Sequence, residues 1–388
     1  MRKVIPVSFL ALCLFTVAFA VNLQAPLYDA YAADSNVGAT AVTIAFAAYV
    51  VGLMPTLLLL GGLSDRIGRR VPIALALILG SAATALLVQD PSWFRLVAAR
   101  FMLGIGTGLA TTAGTAYMTE FLGADRAKNA ALIVTSATSL GFGGGALATG
   151  ISLGLQGHTL IPASYIALFV AAPVLAMFAL ALPRIDKPRP VSLFRLPMFP
   201  TGTWVFGAAM ALAWSTTGMT IAVVPLELTE NKLGGWTGLV IFLAIFVGFL
   251  CQPMARRMPN DRALSLGFVL VPFGFLVLLV GVWMKVLAFV LIGTCMSSAA
   301  SYGFTYLASL AEVSLRAPND RARATAGLFV YAYFGFSLPV IASGALADLL
   351  SLFSAMVVFA LVQIMVTAII VVRWRRRAEL SLAALNTG

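Results

Sequence analysis

"GGLSDRIGRR", Gly61 to Arg70, sets four charged side chains (Asp65, Arg66, Arg69, Arg70) among three glycines in a chain that is 61% hydrophobic and only 10% charged. Apolar runs flank it on both sides, so it reads as a polar turn between two buried segments. A mean hydropathy of +0.99 over 388 residues exceeds what a soluble core requires. The chain is expected to be an all-α membrane protein.

Apolar stretches near 20 residues, the length that crosses roughly 30 Å of hydrocarbon as helix, occur twelve times. They cover 5 to 29, 39 to 63, 71 to 89, 95 to 119, 128 to 153, 160 to 183, 202 to 226, 236 to 257, 263 to 283, 286 to 311, 322 to 347 and 350 to 372. With these spans, every one of the 25 lysines and arginines falls on one side except Arg95, Lys232, Lys285 and the intrahelical Arg100. By the positive-inside rule that side, with both termini, is cytoplasmic, which places the chain in the cell's inner membrane. The net charge of +11 is therefore topogenic and implies no nucleic acid. The first 20 residues also have the outline of a signal peptide, but the apolar run continues beyond them and the charge alternation requires a first helix that stays.

"GADRAKNAAL" between helices 4 and 5 is echoed by "PNDRARATAGL" between helices 10 and 11. Asp125 and Asp320 are 195 residues apart, against a half-length of 194. An offset of half the chain at equivalent loops implies two pseudo-symmetric six-helix halves. The expected division is 1–183, a cytoplasmic link 184–201 rich in proline and basic residues, and 202–388 with a basic tail.

The opening stretch, read as G-x-L-x-D-R-x-G-R-R, resembles the signature loop between helices 2 and 3 of the major facilitator superfamily. Gly61, Leu63, Asp65, Arg66, Gly68, Arg69 and Arg70 are all in place. Length, helix number, halves and link extend the resemblance over the whole chain and imply the major facilitator fold. In that family the loop latches the halves together on the cytoplasmic side in the outward-facing state. The resemblance implies this role for Asp65 with Arg69 or Arg70, on a turn shaped by the glycines; the plainer reading is a topogenic basic loop. Its second-half counterpart, "CQPMARRMPNDRAL", aligns with Asp65 facing either Arg256 or Asp261 and carries no assigned role.

Arg100, with "RFMLGIGTG", resembles the helix 4 pattern of proton-coupled family members, where the arginine influences a nearby carboxyl. The alternative is snorkelling to the headgroups. Helix 5 carries "GFGGGALATG", a partial match to the exporters' pattern: Gly141, Gly145 and Gly150 are present, but Ala146 replaces the proline and Thr149 a glycine. The glycines serve helix packing. Of 14 acids none is placed clearly at mid-membrane; Asp29, at the outer end of helix 1, is the first choice for proton coupling and Glu120 the second. For Asp29 an equally open reading is a simple helix end at the interface. His158 is expected in a solvated turn.

In this fold the substrate cavity is lined by helices 1, 4, 7 and 10. The candidates there are Asn22 and Gln24; Thr111, Thr115 and Tyr117; Trp214, Ser215 and Thr217; Ser297, Ser298, Ser301 and Tyr302. Helix 11 adds Tyr331 and Tyr333. Each hydroxyl has the alternative of satisfying its own helix backbone. This inventory favours neutral, zwitterionic or amphipathic solutes over strongly anionic ones.

Cys13, Cys251 and Cys295 share no spacing with histidine, so no metal site is expected. No phosphate-binding loop or catalytic cluster is present, so neither an enzyme nor a cofactor is expected. The reading is a secondary transporter working by alternating access, exporting a drug or metabolite against protons; proton-linked uptake of a sugar or other metabolite is the alternative. The expected partners are the solute, protons and the lipid bilayer, with the chain as a monomer.

Overall fold

The computed structural model describes residues 4–184, 192–194 and 196–386, with side chains for 5–184, 192–194 and 196–375. Arg2, Lys3, Lys187, Arg189, Arg195 and the side chains of Arg376 and Arg377 lie outside it. Among the described residues, twelve helical spans are long and apolar enough to cross a membrane. They are α1 (Ile5–Asp34), α2 (Ala39–Leu59), α3 (Arg70–Gln89), α4 (Trp93–Leu122), α5 (Ala124–Gln156), α6 (Ala163–Ala181), α7 (Trp204–Glu230), α8 (Gly234–Ala255), α9 (Asn260–Met284), α10 (Leu287–Leu315), α11 (Arg321–Leu349) and α12 (Leu352–Arg375). Beyond Arg375 the α12 backbone stays helical to Asn386.

Lipid gives apolar side chains no reason to leave it, so helices associate through close packing at small residues. A Cβ on Gly104 of α4 would lie 2.0 Å from the Tyr49 carbonyl oxygen of α2, and one on Gly52 of α2 2.2 Å from that of Phe101. The second half repeats this contact: a Cβ on Gly248 of α8 would meet the Ser298 oxygen of α10 at 2.3 Å. Likewise Gly145 of α5 abuts Phe19 of α1 as Gly335 of α11 abuts Ala211 of α7, with Cβ-to-oxygen distances of 2.0 and 2.2 Å. The halves are thus built by the same backbone approaches at equivalent positions.

Three spans are interrupted within their length. In α1 the ladder stops at Asn22, passes through a 3₁₀ turn at Ala25–Leu27 and resumes at Tyr28–Asp34. α7 breaks at its equivalent place, between Ala222 and Val224. Pro26 and Pro225 sit just after these breaks, where a missing N–H is tolerated. In α10 a π-helical turn runs from Ala299 to Thr305.

The halves meet towards the face opposite the basic loops. Phe336 of α11 packs on Phe46 of α2 with ring centroids 4.8 Å apart. Nearer that face a Cβ on Gly344 would touch the Thr43 hydroxyl, and Gly150 of α5 meets Gly238 of α8.

Candidate functional site

Arg100 is 1% exposed, within the first half rather than at a headgroup. Burying a guanidinium at this depth is costly unless its donors are met. Its Nη1 donates to the Val21 oxygen at 2.6 Å and its Nη2 to that of Phe46 at 3.2 Å. Val21 is available because the α1 ladder ends there. The Phe46 and Tyr49 rings lie 5.2 and 5.0 Å from the guanidinium carbon. Nε has no partner, and Arg100 forms no ion pair among the described residues.

Arg100 lies in the wall of a cavity of about 350 Å³ between the halves. The first half contributes Asn22, Tyr49, Arg100, Thr107, Thr111, Thr115, Thr135, Thr138 and Ser139; the second contributes Trp214, Gln252, Tyr302, Tyr306, Phe329, Tyr333 and Phe336. Thr111 and Thr115, in the part of α4 towards the basic face, are exposed, so the cavity opens that way. The second-half wall is an aromatic cage. Trp214 has Tyr333 at 5.3 Å, Tyr302 at 5.4 Å, and Phe329 and Phe336 at 6.1 Å. Its indole Nε1 is buried with no partner among the described residues. Among the described residues no Asp or Glu lines this cavity.

Of the residues expected there, Asn22, Thr111, Thr115, Trp214 and Tyr302 line the cavity, as does Tyr333. Five others bond to backbone instead. Gln24 donates to the Val21 oxygen at 3.0 Å, Ser215 to Leu212 at 2.7 Å and Ser301 to Ala213 at 2.8 Å. Ser298 accepts from the Gly248 N–H at 2.8 Å, and Tyr117 donates to the Pro183 oxygen at 2.5 Å. Thr217 is buried away from the cavity, and Tyr331 stands against Phe199. Ser297 is buried and likewise does not line it. Sequence reasoning missed Thr107 and Tyr306 on α4 and α10 and Phe329 and Phe336 on α11, helices it did search, and it missed Tyr49, Gln252, Thr135, Thr138 and Ser139 because α2, α8 and α5 were not searched for polar lining.

Asp29 lies beyond the α1 break and is half-buried; it neither lines the cavity nor forms an ion pair among the described residues. Glu120 is drawn into the α2–α3 loop. Arg69 there reaches Asp65 at 2.6 Å, Glu120 at 2.7 Å and the Ser64 hydroxyl at 2.7 Å. Burial works against the Arg69 charge, but Glu120 and Asp65 outweigh it and hold its pKa above the ordinary arginine value. Arg70 caps the end of α6 through the Leu180 and Leu182 oxygens at 2.6 and 2.8 Å. Gly61 is buried, and Arg66 is exposed on the short helix Leu63–Ile67. Gly68 has φ +90° with open space around it, so backbone conformation alone demands glycine. On α5, Gly141 and Gly145 press on α1 and Gly150 on α8.

The second half carries a parallel arrangement: Asn260 donates to Glu312 Oε1 at 2.7 Å, and Arg316 also pairs with that carboxylate. Arg69 to Asn260 and Glu120 to Glu312 are offsets of 191 and 192. That register sets Asp65 against Arg256 and decides between the two alignments of the degenerate loop.

Residues 10–202 match the family model described as Major Facilitator Superfamily. The chain belongs to the major facilitator superfamily. It is a multi-pass membrane transporter of that superfamily, not an enzyme. No curated protein matches the chain in sequence. Among solved structures, a point mutant of the nucleoside transporter NupG superposes with a TM-score of 0.76 at 13% identity, covering 95% of this chain and 99% of that one. A bacterial homologue of the human lysosomal transporter Spinster, in an inward-facing and occupied conformation, gives 0.73 at 12% identity over 95% and 96%. Its inward-facing, unoccupied form gives 0.72 at 14% identity, covering 95% of each chain. At these identities the likeness is to the major facilitator fold alone.

Proposed function

We propose that the chain is a proton-coupled exporter of a small organic solute, working by alternating access. The observation that carries this reading is the cavity walled by both halves, closed on one face by inter-half contacts and open on the other. A solute there touches both moving bodies, so rocking of residues 1–183 against 202–388, joined by 184–201, carries it from one face to the other. The basic face is cytoplasmic, with both termini on that side of the inner membrane, and the arrangement is inward-open. The chain acts as a monomer, since each half supplies one wall of its own site.

In the outward-facing state Asp65, Arg66, Arg69 and Arg70, on the turn formed by Gly61 and Gly68, latch the cytoplasmic ends of the halves. Asp29 carries the coupled proton, and Glu120 serves the latch through Arg69.

Reconstitution into liposomes with an internal pH dye tests the reading against drugs, sugars and amino-acid-like solutes. A solute moving down its gradient is expected to drive protons the opposite way, with the signal lost in Asp29→Asn. Protons moving with the solute would replace export with uptake, and solute flux without protons would leave a uniporter.

A further inference from the structure

Among the described residues the cavity holds one charged side chain, Arg100, and two buried donors that lack acceptors, Arg100 Nε and Trp214 Nε1. They belong to opposite halves. A guanidinium has five N–H donors, and the two oxygens it meets leave its charge without a counter-ion. An uncompensated buried cation is stabilised strongly by an anion that enters with its own apolar body. Facing it, Trp214, Tyr302, Tyr333 and Phe336 present ring faces and edges suited to a flat ring. A cation would meet that cage through cation–π contact, but it would share the cavity with Arg100 and find no carboxylate there.

We propose that this site takes a planar aromatic monoanion, its ring in the Trp214 cage and its carboxylate, or an equivalent singly charged acceptor, on Arg100 Nε and a terminal nitrogen. This rests on the transporter reading and names its substrate class. One cation already engaged by two carbonyls fits a single negative charge rather than a dianion. The volume of about 350 Å³ is near the small end of ligand cavities, roughly 300–1,000 Å³, which suits one or two fused rings. Because the substrate bridges Arg100 and Trp214, it ties the two halves together and senses their relative motion.

The test is calorimetric binding to the purified full-length protein in detergent, using 1-naphthoate, the isosteric neutral 1-naphthamide, the cation 1-naphthylmethylammonium, and hexanoate as an anion without a ring. Naphthoate is expected to bind about ten- to a hundredfold more tightly than naphthamide, the range for a charge-assisted hydrogen bond, and more tightly than hexanoate. Arg100→Gln is expected to erase the naphthoate preference while naphthamide binding persists. If that variant does not fold, Arg100→Lys keeps the charge without the planar fork and is expected to weaken naphthoate binding while preserving the preference over naphthamide.

Naphthamide or the ammonium compound binding as tightly as naphthoate, or no naphthyl compound binding, would overturn the proposal whatever liposome transport shows. Naphthoate binding as expected, with no solute moving in liposomes, would instead uphold the site and fail the transporter reading.

Discussion

The carboxylate of Asp348, at the end of α11, accepts hydrogen bonds from the backbone N–H groups of Ala39 at 2.7 Å and Thr40 at 3.0 Å, the first residues of α2. An acid from one half thus caps a helix N-terminus of the other, where unpaired donors and the helix dipole both favour negative charge. The contact exists only while that face is closed. Loss of an N-cap costs about 0.5–2 kcal/mol, and exposure of Asp348 places this one in the lower part of that range. Asp348→Ala is expected to shift the equilibrium towards opening at this face by a factor of about five. A cysteine at Thr107, in a background without Cys13, Cys251 and Cys295, should then react faster with an impermeant thiol reagent from that face. An unchanged rate would remove Asp348 from the gate.

The charges of the α2–α3 loop make a separate prediction. Asp65→Asn is expected to slow transport several-fold and leave solute affinity unchanged, because the loop is remote from the cavity. Affinity falling in parallel with transport would contradict a latch.

Arg69→Ala should be the more damaging change. Arg69 serves Asp65, Glu120 and Ser64 together, and its removal takes the cation from the partly buried Glu120 carboxylate. An unpaired buried group costs about 1–3 kcal/mol, so thermal unfolding in detergent should move down by several degrees, a shift that Asp65→Asn, which leaves the Arg69–Glu120 pair standing, does not reproduce.

How far the sequence could be read depended on how local each signal was. Apolar length marked all twelve spans, and the Asp65 to Arg70 turn was recognisable because its charges have no other place in lipid. The breaks at Asn22 and Val223 left only weak marks, Pro26 and Pro225, among many prolines. Which side of each helix faces the cavity was harder to see, because lipid and protein interior are equally apolar and the spans show no polar stripe. Ser215, Ser298 and Ser301 therefore looked like Thr111 and Thr115 until packing showed that the last two line the cavity and the first three do not. Arg100 stood out from its charge alone, yet its partners, the Val21 and Phe46 oxygens, became identifiable only once the α1 break was known.

Close backbone approach makes the last prediction, at Gly145. A Cβ there would lie 2.0 Å from the Phe19 oxygen and 3.2 Å from the Leu23 nitrogen, both rigid backbone atoms next to the α1 break. No side chain can rotate away to relieve it, so α5 and α1 must separate. Overpacking of this kind costs about 1–3 kcal/mol. Gly145→Ala should therefore lower the unfolding temperature, and by moving α1 it should also loosen the Arg100 contact to Val21. Gly154→Ala, on the same helix with open space around it, is the matched control and should be neutral or slightly stabilising through helix propensity. Equal effects of the two substitutions would mean that α1 and α5 do not approach as closely as the contact requires.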